Sequence, residues 1–414
     1  MEHDRYESIF LRLARAYVGK YPRHSFKFHF DDREQEVIGS SPDTIEVKFK
    51  KTRETLKRIF LTGSLGLGES YCEGLITVDD RLYKYFVYIF VKLLHDKKLL
   101  LSLRATDILT VLGGKFNRLF FSKDKENDKV KNINAHYSLS NWFKDEKDAN
   151  QFYLHWLGSP YIQYTCGKWD AETRTVDEAQ LNKLNFYARR LGIDKVSAGK
   201  TLLDLGCGWG GLMLFMAENY RVKCKGLTLS TAQAEYIRSE TRKRKLEDLV
   251  SVEVADAHSL NGKYDYIVSV GLLEHISDYD DLFKRISLSL KEDGAALLHA
   301  IFHIHRLYKV DPFLSKYIFP GGSTPRIGKS LRTLKTYFRS VDRNDLPMHS
   351  YPKTLVCWYD NFCLNEAKIR ELLKEKSLVE DIDFAIRVFK HYLVLVHCGL
   401  SGNYSVVSNI VVKN

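Results

Sequence analysis

A chain of 414 residues exceeds the usual single-domain size, so two domains are expected, and its 44% apolar content suffices for buried cores. The net charge of +11 favours an anionic partner; no zinc-finger or ribonucleoprotein signature accompanies it, so an anionic membrane surface is expected and nucleic acid is not. Seven scattered cysteines, at positions 72, 166, 207, 224, 357, 363 and 398, form no CxxC pair, which excludes a disulfide framework and a zinc ribbon and points to a reduced, cytoplasmic protein.

The first residues lack the basic start and apolar run of a leader, so none is expected. Residues 45–49 alternate apolar and polar as a half-buried strand does. Residues 82–103 carry apolar side chains at helical spacing and predict one or two helices. Their most apolar part, 86–91, lies between Lys84 and Lys92, too short to span a bilayer, and reads as a core helix. Residues 122–132 are dense in charge without a periodic apolar face, which predicts an exposed linker. The expected organisation is therefore a smaller α+β domain over 1–121, a linker over 122–134 and a second domain over 135–414.

From Lys200 the pattern changes. Apolar runs at 201–205, 222–227, 250–254, 266–270 and 295–301 read as strands, with helices at 212–219, 231–244 and 280–290 between them. Such alternation predicts an α/β domain, a parallel sheet covered by helices on both faces. The tail, helical at 384–396 and extended at 406–412, lacks a crossover helix between its last pieces and predicts an antiparallel edge.

The strongest motif is Leu202-Leu203-Asp204-Leu205-Gly206-Cys207-Gly208-Trp209-Gly210-Gly211, a buried strand entering a glycine turn. Gly206, Gly208 and Gly211 satisfy GxGxxG, so a dinucleotide must be weighed. A carboxylate at Asp204 would repel a pyrophosphate, and 225–230 lacks the acidic residue that grips a nicotinamide ribose. An amine-bearing cationic ligand such as S-adenosylmethionine suits the motif better. Asp256, ending the run at 251–256, can accept a hydrogen bond from an adenine amine or cap the next turn.

At these residues the sequence resembles the cyclopropane-fatty-acyl-phospholipid synthases and the related mycolic acid cyclopropane synthases. The resemblance is carried by Gly66-Leu67-Gly68-Glu69-Ser70-Tyr71-Cys72-Glu73-Gly74, by His136-Tyr137-Ser138-Leu139-Ser140-Asn141 with Tyr164-Thr165-Cys166-Gly167-Lys168-Trp169, and by 204–211 with 226–233. Gly271-Leu272-Leu273-Glu274-His275, Leu298-His299-Ala300-Ile301, 316–322 and 351–355 follow in order. It implies a Rossmann-like S-adenosylmethionine methyltransferase domain preceded by a smaller α+β lipid-binding domain of sterol-carrier-like type. It implies methylene transfer from S-adenosylmethionine to a cis double bond of a membrane phospholipid acyl chain, forming a cyclopropane ring, with bound bicarbonate as proton acceptor. Carried over residue by residue, bicarbonate would sit among Cys166, Glu274, His299, Ile301 and Tyr351. The cofactor would lie against Tyr164, Thr165, Asp204, Gly206, Gly208, Gly210, Thr228, Gln233 and Asp256. A homodimer, peripherally bound to the inner membrane face, is also implied; no metal is.

The chemistry suits these groups. An isolated alkene is a weak nucleophile, so the electrophile must be strong and aligned, and the resulting carbocation must lose a proton before water adds. Taken singly, Cys166 and His299 read as ordinary core residues. Lys168 stands where the family has an aromatic and Ser138 where it has an aspartate, changes that bear on the acyl chain and not on the cofactor. The rival readings are a methyltransferase making a methyl-branched lipid or methylating a small amine, and an inactive lipid-binding protein. Basic clusters at Lys48, Lys50, Lys51, Arg53, Lys57 and Arg58, and at Arg326, Lys329, Arg332 and Lys335, offer contacts to anionic lipid or are solvated faces.

Overall fold

Alternation of Phe26, Phe28 and Phe30 along β1 (Ser25–Phe30) puts three rings on one face of a strand, where neighbouring rings stack at 5.4 and 6.0 Å. In the computed structural model, which describes residues 4–31, 35–42, 44–95, 142–158, 160–276, 278–305, 310–402 and 405–414, helix α1 (Arg5–Lys20) packs on these rings. Phe10 of α1 meets Phe28 and Phe49 edge-on at 5.0 and 5.4 Å. Strands β2 (Glu36–Ile38), β3 (Thr44–Phe49) and, after α2 (Thr52–Thr62) and α3 (Ser64–Cys72), β4 (Ile76–Val78) complete a four-stranded sheet of order β2-β1-β3-β4. β1 and β3 run parallel, and β2 and β4 are antiparallel to their neighbours. Helix α4 (Asp80–His95) buries Phe86, Val87 and Ile89, so the apolar run belongs to a core. No described helix is long and apolar enough to cross a membrane.

These elements belong to a first unit, residues 1–125, which also takes in 311–318 and 381–398. The late segments supply α10 (Pro312–Tyr317) and most of α14 (Ile382–Leu400). Polar contacts fasten them within the unit. Tyr83 Oη lies 2.6 Å from His391 Nδ1, and Lys390 Nζ 2.5 Å from Asp80 Oδ2. Sequence reading put 135–414 in a single second domain; the structure instead draws two of its segments into the first unit. The predicted linker and the motif at 136–141 lie outside the described residues.

The second unit holds α5 (Glu146–Leu154), α6 (Val176–Leu191), β5 (Thr201–Leu205), α7 (Gly211–Tyr220), β6 (Lys223–Thr228), α8 (Thr231–Lys243), β7 (Val250–Val254), β8 (Tyr264–Val270), α9 (Tyr279–Ser289) and β9 (Leu290–His303). It continues with α11 (Ile327–Tyr337), β10 (Ser340–Asp345), α12 (Ser350–Leu364), α13 (Glu366–Lys376) and β11 (Ser405–Lys413). Its sheet has the order β7-β6-β5-β8-β9-β11-β10. The first five in that order are parallel, and β11 runs antiparallel beside β9. The antiparallel strand expected at the edge therefore lies one position inside it, because β10 pairs with its outer side. Helices α6, α7 and α8 bury one face with Leu184, Met213 and Ile237; α9 and α11 bury the other with Phe283, Ile286 and Leu334. This is a Rossmann-like arrangement, and it gathers the carboxyl ends of β5, β6 and β8 where ligands of such sheets bind.

Phe283 is wholly buried in the second of these cores. Phe283→Ala should destabilise the second unit by about 3–5 kcal/mol through lost transfer energy and the cavity left behind. Denaturant unfolding followed by circular dichroism measures this.

Candidate functional site

The last residues of β5 lie between β6 and β8, which leaves Asp204 only 3% exposed at the sheet's carboxyl end. Burial pushes its carboxyl up to about 7, and no cation pairs with it among the described residues. The chain then turns through Gly206 and Gly208 at φ 74° and 53°, conformations that cost other residues strain. The turn is pinned from below, because Gly206 N and Cys207 N both donate to Leu227 O, at 2.9 and 3.0 Å. At its top, Trp209 Nε1 donates to Asn150 Oδ1 at 2.9 Å, and Asn150 Nδ2 donates to Ala232 O.

A cavity opens over this turn. Tyr164, Thr165, Asp204, Gly206, Gly208, Thr228, Gln233 and Asp256 line it, eight of the nine positions expected to face a cofactor. Gly210 does not; a Cβ there would meet Ile237 Cγ1 at 2.8 Å, so this glycine makes room for α8 packing. Thr228 Oγ1 donates to Gln233 Oε1 at 2.7 Å, which leaves the Gln233 amide nitrogen available. Asp256 acts as a cap: its carboxylate accepts from His258 N at 2.7 Å and lies 2.8 Å from His258 Nδ1. Sequence reading overlooked two polar wall residues. Gln163 presents a buried Nε2 without a hydrogen-bond partner, and burial draws the His275 imidazole down to about 4. Gln163 was legible only as the residue preceding the Tyr164 motif.

A second cluster forms where β8 and β9 end. Glu274, on the 3-10 turn Leu273–His275 after β8, accepts from Ile301 N with Oε1 at 2.7 Å. Its Oε2 is buried with no partner, and burial raises the carboxyl to about 7. Cys166, Ile301 and Tyr351 pack together with Leu346 and Val407 in one apolar group. Cys166 is fully enclosed, and burial lifts its thiol to about 12, so it is a neutral donor. His299, two residues before Ile301 and on the same face of β9, lies with Nδ1 2.8 Å from Asn409 Oδ1, and burial holds the ring neutral, down to about 3. Tyr187 of α6 meets this ring edge-on at 5.8 Å. The five residues grouped by resemblance thus come from four places in the chain, and the contacts link Glu274 to Ile301 and Ile301 to Cys166 and Tyr351.

Segment 164–166 serves both places: Tyr164 and Thr165 line the cavity, and Cys166 joins the apolar group. Packing fixes it. The Tyr164 ring lies 5.4 Å from Tyr153, 5.4 Å from Trp156 and 5.5 Å from Trp358. Lys168 holds its ammonium 5.7 Å from the Phe186 ring and 4.0 Å from Asp170. Of the basic clusters, the first is partly neutralised within its own unit, where Lys48, Arg53 and Arg58 pair with Glu46, Asp4 and Glu73. On α11, Lys329, Arg332 and Lys335 are exposed opposite the buried Ile327, Ser330 and Leu334.

The model of the mycolic acid cyclopropane synthetase family matches residues 124–406. The chain is 32% identical over 360 residues to the cyclopropane-fatty-acyl-phospholipid synthase of Escherichia coli K12, covering 86% of this chain and 84% of that protein. It is 33% identical over 242 residues to a cyclopropane mycolic acid synthase of Mycobacterium tuberculosis, covering 55% of this chain and 79% of that one. Among solved structures, a mycolic acid cyclopropane synthase in complex with SAH and CTAB superimposes with a TM-score of 0.60 at 27% identity, over 69% of this chain and 98% of that one.

The buried Asp204 carboxyl gives a stability prediction with a definite sign. Its folded-state value near 7 exceeds the ordinary value near 4, so its neutral form contributes stability that is fully present below pH 4 and lost as pH rises through 7. Asp204→Asn should therefore leave the ligand-free melting temperature nearly unchanged at pH 4 and raise stability by about 1–3 kcal/mol at pH 8. Thermal melts at the two pH values, compared with wild type, read this directly.

Proposed function

This chain belongs to the mycolic acid cyclopropane synthetase family, and on that premise we propose that it transfers a methylene group from S-adenosylmethionine to the cis double bond of an unsaturated phospholipid acyl chain, leaving a cyclopropane ring. The observation that carries the reading is the pairing of two buried, unneutralised carboxyls: Asp204 in the cavity, and Glu274 bonded to Ile301 of the apolar group that holds Cys166 and Tyr351.

The cavity fits the cofactor. Asp204 takes its amine, Gly206 and Gly208 admit close backbone approach, and Gln163 holds an unused donor. Thr228, Gln233, Asp256, Tyr164 and Thr165 complete the wall. When bound, S-adenosylmethionine supplies a methyl on a sulfonium, an electrophile strong enough for an isolated alkene. The rigid 164–166 segment keeps donor and acyl chain in register, which a reaction of this type requires. Ring closure demands that a proton leave the newly attached carbon. Cys166, Glu274, His299, Tyr351 and the main chain at Ile301 would hold bicarbonate, which supplies the proton acceptor. The unpartnered Glu274 Oε2 and Asn409 Nδ2, both buried, support this reading, since a polar guest would satisfy them. Apolar walls from Leu346 and Val407 keep water from the cation.

The same reading has the chain dock reversibly on an anionic bilayer at the cytoplasmic face, with the α11 cations contributing roughly 1 kcal/mol each, the first unit contributing lipid binding, and two copies forming a homodimer.

Incubation with methyl-labelled S-adenosylmethionine and vesicles of cis-unsaturated phospholipid should give lipid heavier by one CH₂, with the alkene signal lost and no reductant needed. A labelled saturated branch would instead indicate methyl branching, and no incorporation would overturn the proposal. Cys166→Ala and Glu274→Gln should each lower kcat by about 10²–10⁴-fold while cofactor affinity holds, and carbon-dioxide-free buffer should slow the wild type. Salt should release the protein from anionic vesicles.

A further inference from the structure

Lys183, in the middle of α6, is wholly buried, and no carboxylate pairs with it among the described residues. Its Nζ lies 2.6 Å from Thr165 Oγ1. One turn earlier on the same helix, Gln180 Nε2 donates to Thr165 O at 2.9 Å. Two side chains of α6 therefore hold one residue, by its carbonyl and by its hydroxyl. From the other side, a Cβ on Gly271 would meet Thr165 Cγ2 at 2.8 Å, so the threonine methyl is seated against a glycine. With carbonyl, methyl and oxygen all fixed, the remaining freedom of Thr165 is where its hydroxyl hydrogen points.

We propose that Lys183 is a positioning residue that turns the Thr165 hydroxyl hydrogen into the cavity, making Thr165 a donor to an acceptor group of the bound cofactor. The inference rests on the cofactor reading of this cavity. An ammonium has donors only, so while Lys183 is charged Thr165 Oγ1 must accept and its own hydrogen must go elsewhere. The cavity that Thr165 lines is the open direction. A neutral amine has a lone pair, can take the threonine hydrogen itself, and then leaves the cavity only an acceptor. Burial draws Lys183 down to about 7, opposed by the neighbouring Cys166. The charge is thus kept below neutral pH and shed above it. The other titratable groups facing it are Cys166, His299 on β9 and, one turn on along α6, Tyr187; burial keeps all three neutral across this range.

Calorimetric titration of the full-length chain with S-adenosylhomocysteine from pH 6 to 8.5 tests this. That ligand lacks the sulfonium charge, and any direct effect of the Lys183 charge on its amine or carboxylate would persist in Thr165→Val. Relative to Lys183→Met, wild-type affinity should fall by roughly 3- to 10-fold as pH rises through 7. Thr165→Val should lose the same pH-dependent component, and Thr165→Ser should keep it. Asp204 and Glu274 titrate in this window but remain in every variant, so they cancel in the ratio. A wild-type slope retained in Lys183→Met or in Thr165→Val overturns the proposal; should Lys183→Met fail to fold, the Thr165 pair decides alone. Wild type that binds no S-adenosylhomocysteine at any pH overturns the cofactor reading, and this inference with it.

Discussion

A carboxyl group buried at the end of the central strand without a cation is the constraint around which the second unit is built. Asp204 sits where β5 is flanked by parallel strands on both sides, so neither solvent nor a neighbouring side chain neutralises it. Charging it there is unfavourable until a positive group arrives. The glycine turn that follows has its backbone tied to β6, and therefore the ligand's approach is fixed before it binds. Glu274 repeats the arrangement at the end of β8, with one oxygen satisfied and one open. The ligand-free fold holds two carboxyls that are costly to ionise as the condition of having a site.

The two carboxyls are joined by one short stretch of chain. Tyr164 and Thr165 face the cavity, and the next residue, Cys166, faces the apolar group. Its rigidity comes from aromatic packing against Tyr153, Trp156 and Trp358, and from the α6 side chains that grip Thr165. Trp209 extends the same brace to the glycine turn through Asn150. The chain is 13% aromatic, and part of that content forms this scaffold, with ring edges and faces interlocked.

Much of this was legible because its signals are local. The runs at 201–205 and 250–254 became strands at those same residues, since short apolar stretches bounded by glycine or charge admit few other structures. Features that depend on distant partners were not. β10 reads Ser-Val-Asp-Arg-Asn-Asp, with no strand pattern; it forms because β11 offers a free edge and its side chains can face water. No sequence signal singles out Lys183, because nothing near it in the chain announces that the 164–166 segment and His299 of β9 will face it. Gly210 looks like a ligand glycine but is required by Ile237, 27 residues on. Local pattern locates the ends of strands. Packing decides what those ends are for.

The path of the chain through the two units governs how it is made. The first unit includes α14, and the second takes β11 between β9 and β10, so residues 381–413 complete both. On a ribosome adding roughly 5–20 residues per second, the faces of α3 and α4 that await α14 stay uncovered for on the order of tens of seconds after emerging. Neither unit can close in the order in which it is synthesised. Nascent chains stalled short of α14 would expose two unfinished cores at once, and such chains are natural clients for chaperones.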